Sequence, residues 1–278
     1  MDRILAERLF VQFSQLVYQQ CGIRLHEGKK ALLQARLNKR LRATGISSYE
    51  DYYHHITSGE NPPEMVHFLD SISTNLTYFF RESQHFEFLE NIALPGILDR
   101  KSKRGENRLR FWSAGCSTGE EPYGLAMSIL SHLDDPRKWD LRILATDIST
   151  RVLDVACRGV YAADKVKKIP PQLRHGYFIR RGNRNGEEEY EVATNLKQII
   201  SFRRLNLNDN YPFKGPFDCI FCRNVMIYFD KKTQETLVNR LASYLTQGGY
   251  LFVGHSESLT GLSHPLTYVK PAVYQRGY

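Results

Sequence analysis

Apolar positions recur at helical spacing along the first eighty residues. Ile4, Leu5, Leu9, Phe13, Leu16 and Val17 form one stripe, and Gly22 follows as a stop. A second helix, about Gly28 to Ala43, carries Leu32, Leu33, Leu37 and Leu41 on one side and ends near Gly45. Ser47-Ser48-Tyr49-Glu50 supplies a capping box for a third helix, and EMVHFLDSI after Pro62-Pro63 makes a fourth. Short helices with brief connections predict a small all-α bundle.

A linking helix is expected over about Ser83 to Arg100, after which the period changes. RLRFWSAG (108–115), RILATDI (142–148), ISFRRLNL (200–207), FDCIFCRNVMIYF (217–229) and GGYLFVGH (248–255) read as strands. Helical stretches lie between them at 119–133, 149–161 and about Lys231 to Leu245. This alternation predicts an α/β, doubly wound parallel sheet, and LTYVKPAVYQRG adds two terminal strands, one of them a candidate for antiparallel pairing. Between Tyr161 and Ser201 the rhythm breaks. GYFIRR (176–181), a turn over Gly182–Gly186 and EEYEVA (188–193) predict a β-hairpin, hence a small inserted β-subdomain at about 162–200. The expected division is a helical domain at 1–82 and an α/β domain at 83–278.

Composition narrows the class. With 42% hydrophobic and 24% charged residues, the 278-residue chain is ordinary for a globular protein. No apolar run approaches the roughly 20 residues of a membrane span, and no membrane insertion is expected. Charges interrupt the apolar N-terminus, unlike a secretory signal, so a cytoplasmic location is expected. The five cysteines are odd in number and scattered, which suits a reducing compartment. Cys219 and Cys222 form a CxxC, but on a strand such residues face opposite ways, and no second pair completes a zinc site. No metal is expected. The net charge of +8 favours an acidic partner without choosing among nucleic acid, anionic membrane and acidic protein.

The first chemical signal is the strand–turn–helix FWSAGCSTGEEPYGLA (111–126). Gly115 and Gly119 allow close backbone approach to a ligand, and the helix start offers free N–H groups. A tight turn of any doubly wound fold would also explain it. Asp147, at the end of the second strand, stands where such folds place an acid against ribose hydroxyls. Glu120-Glu121 at the helix start would repel a pyrophosphate and welcome a cation, although the helix dipole alone would account for one of them. S-adenosylmethionine has the matching chemistry: a sulfonium, an ammonium, a ribose and no phosphate.

WSAGCSTGEEPY (112–123), ATDIS (145–149), FCRNVMIYFD (221–230), GHSES (254–258) and TNLTYFFRE (74–82) together resemble the CheR-type chemotaxis receptor methyltransferases. The likeness runs in order over nearly the whole chain. It departs at Gly115-Cys116, where several members have alanines, and at Lys39, where a known pattern has arginine. The resemblance implies transfer of a methyl group from S-adenosylmethionine to glutamate carboxylates of receptors, with S-adenosylhomocysteine as product. It implies a cofactor pocket of Asn75, Thr77, Arg81, Gly115, Glu121, Asp147, Asn206, Leu207, Arg223 and Asn224. It further places Arg81 and Tyr228 beside the transferring methyl, as catalytic residues that orient the substrate carboxylate.

An ionised glutamate is already a nucleophile at neutral pH, which agrees with the lack of a persuasive Ser/His/Asp or Cys/His set. Outside the family, Tyr228 reads as a core aromatic, Arg81 as an ion-pair partner of Glu82 or Glu87, and His255 as a packed histidine. Seven basic residues (Arg24, Lys29, Lys30, Arg36, Lys39, Arg40, Arg42) stand against the single acid Glu27. Arg36, Lys39 and Arg40 share one helical face, and the resemblance assigns this stripe, with Arg42, to the acidic cytoplasmic helices of the receptor. A solvated helix face is the plainer alternative. The β-subdomain is a candidate dock for a receptor C-terminal peptide, added as an edge strand. An RNA or protein-lysine methyltransferase would use the same pocket, but RNVMIYFD stands where an NPPY-type motif would be, so nucleic acid is not expected. A dinucleotide oxidoreductase conflicts with the acidic helix start, and a cofactor-sensing interaction module could lose Arg81 or Tyr228.

Overall fold

A computed structural model describes residues 4–184 and 187–277. The bundle consists of α1 (Glu7–Cys21), α2 (Lys30–Thr44), α3 (Tyr49–Thr57) and α4 (Pro62–Ile72). Leu5, Leu9, Phe13, Val17, Leu33, Leu37, Tyr52 and Phe68 close its core. Two expected stripe positions fall outside it. Ile4 precedes the helix and is 87% exposed, and Leu32 is half-buried, turned towards a cavity described below. Gly22 and Gly45 end α1 and α2 in the left-handed conformation. The box that starts α3 is shifted one residue from expectation: Ser48 accepts from the Asp51 backbone N–H at 3.0 Å.

Arg40 does not join the stripe as a free cation. Its Nε and Nη2 donate to the two Glu64 carboxylate oxygens at 2.9 and 2.6 Å, and the Tyr52 hydroxyl donates to the same carboxylate at 2.6 Å. Burial pushes Glu64 up, but the Arg40 and Tyr52 hydrogen bonds outweigh it and hold the carboxyl below its usual range. Arg40 thus fastens α2 to α4.

After an irregular segment come α5 (Ser83–Phe88), a π-helical turn at Leu89–Ala93 and α6 (Leu94–Lys103), in one continuous rod. Pro95 lacks an N–H, so the wider turn absorbs the break just before it. The α/β domain continues with β1 (Arg108–Ala114), α7 (Glu120–Ser131), β2 (Asp140–Asp147) and α8 (Thr150–Arg158). Next come β3 (Val160–Ala162), α9 (Ala163–Val166), α10 (Pro171–Tyr177), β4 (Phe178–Arg184), β5 (Glu187–Val192) and α11 (Thr194–Ile199). The chain then forms β6 (Ile200–Arg204), β7 (Phe217–Cys222), α12 (Lys231–Ser243), β8 (Leu245–Val253), β9 (Leu266–Lys270) and β10 (Val273–Arg276).

Seven strands pair in the order β6-β2-β1-β7-β8-β10-β9. The first five are parallel, and β10 is antiparallel to both neighbours. Both faces are covered, so β7 is buried throughout and its side chains alternate between two cores. Cys219 and Phe221 pack with Phe111 and Ile129, whereas Ile220 and Cys222 pack with Trp112 and Leu241. The CxxC is therefore split by the sheet, as its spacing predicts.

The insert is a separate sheet, β3-β5-β4. Its first strand was expected to be helix: Gly159 stops α8 in the left-handed conformation, and Val160 starts a strand. Part of the expected turn belongs to the strand: Gly182 lies within β4, at φ 109° beside a register shift. The remaining turn residues, 185–186, lie outside the described part.

Asp70 joins the two domains. It occupies the last turn of α4, where a helix dipole disfavours an acid, but its carboxylate caps α8. It accepts from the Thr150 N–H at 3.1 Å, the Thr150 hydroxyl at 2.6 Å and the Arg151 N–H at 3.3 Å. Replacing Asp70 by Ala should cost about 1–2 kcal/mol of unfolding free energy in urea titration, the usual worth of a cap. Arg40→Ala strands a buried carboxylate and should cost about 2–4 kcal/mol, whereas Arg36→Ala should stay within about 0.5 kcal/mol.

Candidate active site

The carboxyl ends of β1, β2, β6 and β7 open into a cavity of about 280 Å³, roofed by the segment after α4 and by the α1–α2 connection. Open parallel sheets place ligands at this end. Asn75, Thr77, Arg81, Gly115, Glu121, Asp147, Asn206, Leu207, Arg223, Asn224 and Tyr228 all line it. The structure thus brings together the whole set expected from the sequence, apart from the α2 stripe.

The floor is the turn after β1. The Gly115 and Cys116 N–H groups both donate to the Thr146 carbonyl, at 2.8 and 2.9 Å, which folds the chain back sharply. Gly115 has φ 90°, and a Cβ there would stand 2.4 Å from the Val225 side chain. In this chain the turn therefore favours glycine at that position.

Beside this turn, Asp147 is fixed by backbone donors. Ser117 N–H reaches one carboxylate oxygen at 2.8 Å and Ser149 N–H the other at 2.9 Å. Each oxygen keeps a lone pair for the cavity, the arrangement a vicinal diol requires. Burial nevertheless raises its pKa, against the pull of those two N–H groups. Ile148, Leu205 and Leu207 extend this end as an apolar slot. Asn206 contributes less than expected through its side chain: its amide donates to the Gln20 carbonyl at 2.7 Å and to Asp209 at 3.0 Å. That side chain ties α1 to the sheet, leaving the backbone to face the slot.

At the other end stands a buried charge cluster. Arg223 donates through Nη1 to Glu121 at 3.0 Å and through Nη2 to Glu82 at 3.0 Å, and its Nη2 also meets the Arg81 carbonyl. Glu121 further accepts from the Ser113 hydroxyl at 2.7 Å. Two carboxylates around one guanidinium leave a formal charge of −1. The two acids respond differently. Burial raises the Glu121 pKa, only partly offset by Arg223, whereas at Glu82 Arg223 and Asn224 overcome burial and bring the carboxyl below its usual range. Glu120 faces elsewhere, accepting from Lys165 of the insert and from Thr118, each at 2.6 Å. Of the acidic pair, Glu121 serves the cavity and Glu120 the scaffold.

Sequence reasoning missed Glu82 and Glu257. Glu82 entered only as one alternative partner, with Glu87, for Arg81; it binds Arg223 instead and, through its other oxygen, the Asn224 amide at 3.2 Å. It sits at φ 57°, a strained position for a side-chain-bearing residue. Glu257 accepts from the N–H groups of Asn224 at 2.9 Å, Ile227 at 3.1 Å and Gly254 at 2.5 Å, and so shapes the loop after β7. Neither role has a local signal, because the partners lie far away in sequence.

Arg81 makes no ion pair among the described residues; its Nη1 donates to the Leu76 carbonyl at 2.9 Å. The Tyr228 hydroxyl has no protein partner among them either. Both polar ends are available to a ligand in the cavity. Phe79 and Phe80 hold the segment between them: Phe79 packs edge-on against Tyr161 and Phe178 of the insert, and Phe80 against Phe86.

A site with an acid for a diol, an apolar slot for a flat ring and a net negative pocket fits adenosine joined to a cationic sulfur. Fold and site together define an S-adenosylmethionine-dependent methyltransferase. Comparison then gives the family. Residues 8–73 match the family profile "CheR methyltransferase, all-alpha domain", and residues 75–274 match "CheR methyltransferase, SAM binding domain". The chain is 40% identical to a "Chemotaxis protein methyltransferase" of Borreliella burgdorferi, over 94% of this chain and 92% of that protein. It is 39% identical to a protein of the same description from Escherichia coli K12, over 97% of this chain and 91% of that one. The chain belongs to the CheR methyltransferase family.

Asp147→Asn should weaken S-adenosylhomocysteine binding by roughly 100-fold in calorimetry, the worth of two hydrogen bonds to a charged acceptor. Because Glu121 and Asp147 protonate at higher pH than ordinary carboxylates, S-adenosylmethionine affinity should be full at neutral pH and fall as pH is lowered. The fall should begin above the ordinary carboxylate range near about 4 and be shallower in Glu121→Gln.

Proposed function

We propose that the protein transfers the methyl group of S-adenosylmethionine to glutamate side-chain carboxylates of chemotaxis receptors, giving methyl esters in sensory adaptation. The observation that carries this reading is the pairing of the charge cluster, in one cavity, with Arg81, which makes no ion pair among the described residues, and with the unpartnered Tyr228 hydroxyl. Within the division at 82/83, the helical domain 1–82 carries receptor recognition and lends Asn75, Thr77 and Arg81 to the cavity, while residues 83–278, with the insert at about 162–200, supply the rest of the site.

When bound, the cofactor supplies an electrophilic methyl on a positive sulfur. Asp147 holds the ribose hydroxyls, the slot of Leu205, Leu207 and Ile148 the adenine, and Glu121 the methionine ammonium. Asn75, Thr77 and Asn224 complete the enclosure. Arg223 stands between Glu121 and Glu82. Arg81 and Tyr228 point the incoming carboxylate, whose charge is lost as the ester forms. Strong donors to that oxygen would stabilise the starting state more than the transition state, so these two residues orient more than they activate. Removal of water by the closed cavity supplies the rest.

Recognition runs along α2. Lys29 and Leu32 line the cavity, and Arg36 and Lys39 follow at helical spacing, so one face leads away from the site. Arg36, Lys39 and Arg42 make no ion pair among the described residues, which leaves their charge for acidic receptor helices. The outer edge of β4, with exposed Ile179, offers a receptor C-terminal peptide a place to add as a strand. Among the described residues no helix is long and apolar enough to cross a membrane, in keeping with a cytoplasmic enzyme that works beside receptor arrays.

Incubation with labelled cofactor and receptor-containing membranes should give methyl groups released as methanol in mild alkali; alkali-stable label would refute ester formation. Tyr228→Phe should lower kcat about tenfold with little change in cofactor affinity, as expected of lost orientation. Charge reversal at Arg36 and Lys39 should raise the receptor KM and flatten its salt dependence, leaving kcat in place. Arg40 is unsuited to that test because its loss also frees Glu64.

A further inference from the structure

Behind the charge cluster, on the side away from the cavity, His85 is fully buried and neither ring nitrogen makes a hydrogen bond. Buried polar groups are nearly always partnered, so such an orphan needs an explanation. A neutral imidazole in this position has a ring nitrogen lone pair with nothing to receive it. Its Nδ1 stands 3.4 Å from the Glu82 Oε2, without hydrogen-bond geometry. The ring of His255 lies edge-on at 4.6 Å and is open to solvent. One ligand atom from each of Glu82, His85 and His255 lies within 4.8 Å of the others.

The His85–Glu82 separation suits a small tetrahedral ion, and His255 lies within reach of both. Bonds of about 2.0–2.1 Å to zinc put neighbouring ligand atoms about 3.3–3.4 Å apart, close to the His85–Glu82 separation. Two histidines and a carboxylate form a common three-ligand zinc set, with a fourth position open to water. Glu82 and His85 are three residues apart at the start of α5, while His255 comes from the loop after β8, so no sequence motif announces the set.

We propose that Glu82, His85 and His255 form a binding site for a transition-metal cation of the zinc type, entered from solvent past His255. Arg223 already holds Glu82 Oε2, at 3.0 Å from Nη2, so the ion competes with a guanidinium for that oxygen. The competition excludes weakly bound magnesium and favours an ion that prefers imidazole. It also links the two sites: an ion that draws Glu82 away from Arg223 loosens the cluster against which the cofactor binds. This second step rests on the cofactor reading above, whereas metal binding itself does not.

The full chain, stripped with a chelator, would be titrated with cobalt(II) and zinc(II) alone. One ion per chain is expected, with the visible absorption of tetrahedral cobalt bleached by zinc, and no comparable binding of magnesium. Second-sphere changes weaken metal sites by about 10–100-fold, so loss of a direct ligand in His255→Ala should cost about 100-fold or more. His255→Gln, of similar size, gives the same loss and carries the test should the alanine variant misfold; an unchanged thermal transition establishes folding. Absence of stoichiometric binding, equal binding by the folded His255 variants, or equal binding of magnesium would overturn the site. With zinc bound, S-adenosylhomocysteine affinity should drop in the parent protein and stay unchanged in His255→Gln. Zinc binding without that drop would overturn the link and leave the site standing.

Discussion

The buried guanidinium of Arg223 is the interaction on which the active site depends. It lies between two carboxylates that reach it from different parts of the chain, Glu121 at the start of α7 and Glu82 ahead of α5. Without it, two negative groups would face each other in a low-dielectric pocket, and one would take up a proton. With it, the Glu82 carboxyl is held below its usual range and the rise that burial gives Glu121 is partly offset, so negative charge remains for a cationic ligand. The same residue receives no help from solvent, so the enclosing loops must be rigid. Glu257 provides that rigidity for the loop after β7 by accepting from three backbone N–H groups.

The helical domain is part of this construction and not a separate attachment. Asp70 caps α8, Asn206 reaches the end of α1, and the Tyr228 carbonyl accepts from the Arg24 N–H at 2.8 Å. Three seams thus fix the cavity roof against its floor. They also set the direction of α2, whose cavity-facing end at Lys29 and Leu32 continues into Arg36 and Lys39. The basic face of α2 and the walls of the cavity are therefore held in place by the same packing.

Part of this was legible in the sequence because strand ends are. Gly115 and Asp147 end or follow strong apolar runs, Glu121 follows at the next helix start, and the topology of a parallel sheet gathers such positions at one edge. Arg223 and Asn224 came only with the family resemblance. What could not be read were contacts closed by distant segments. Glu82 offered itself only as an alternative partner for Arg81, but at φ 57° its carboxylate meets Arg223. Arg40 matched its neighbours in spacing and charge, yet Glu64 from another helix claims it. Local errors had local causes. Ser48 displaced Ser47 as the cap because its hydroxyl meets the Asp51 N–H, and Gly159 ended a helix that periodicity alone would have extended. One clue was available and unused: Asp70 at the wrong end of a helix, where an acid is disfavoured unless it serves another element.

Phe79 is wedged between Tyr161 and Phe178, and only Phe80 separates it from Arg81. The small sheet thus grips the strand of chain that carries Arg81 into the cavity. An appendage that looks peripheral is packed directly against one wall of the site.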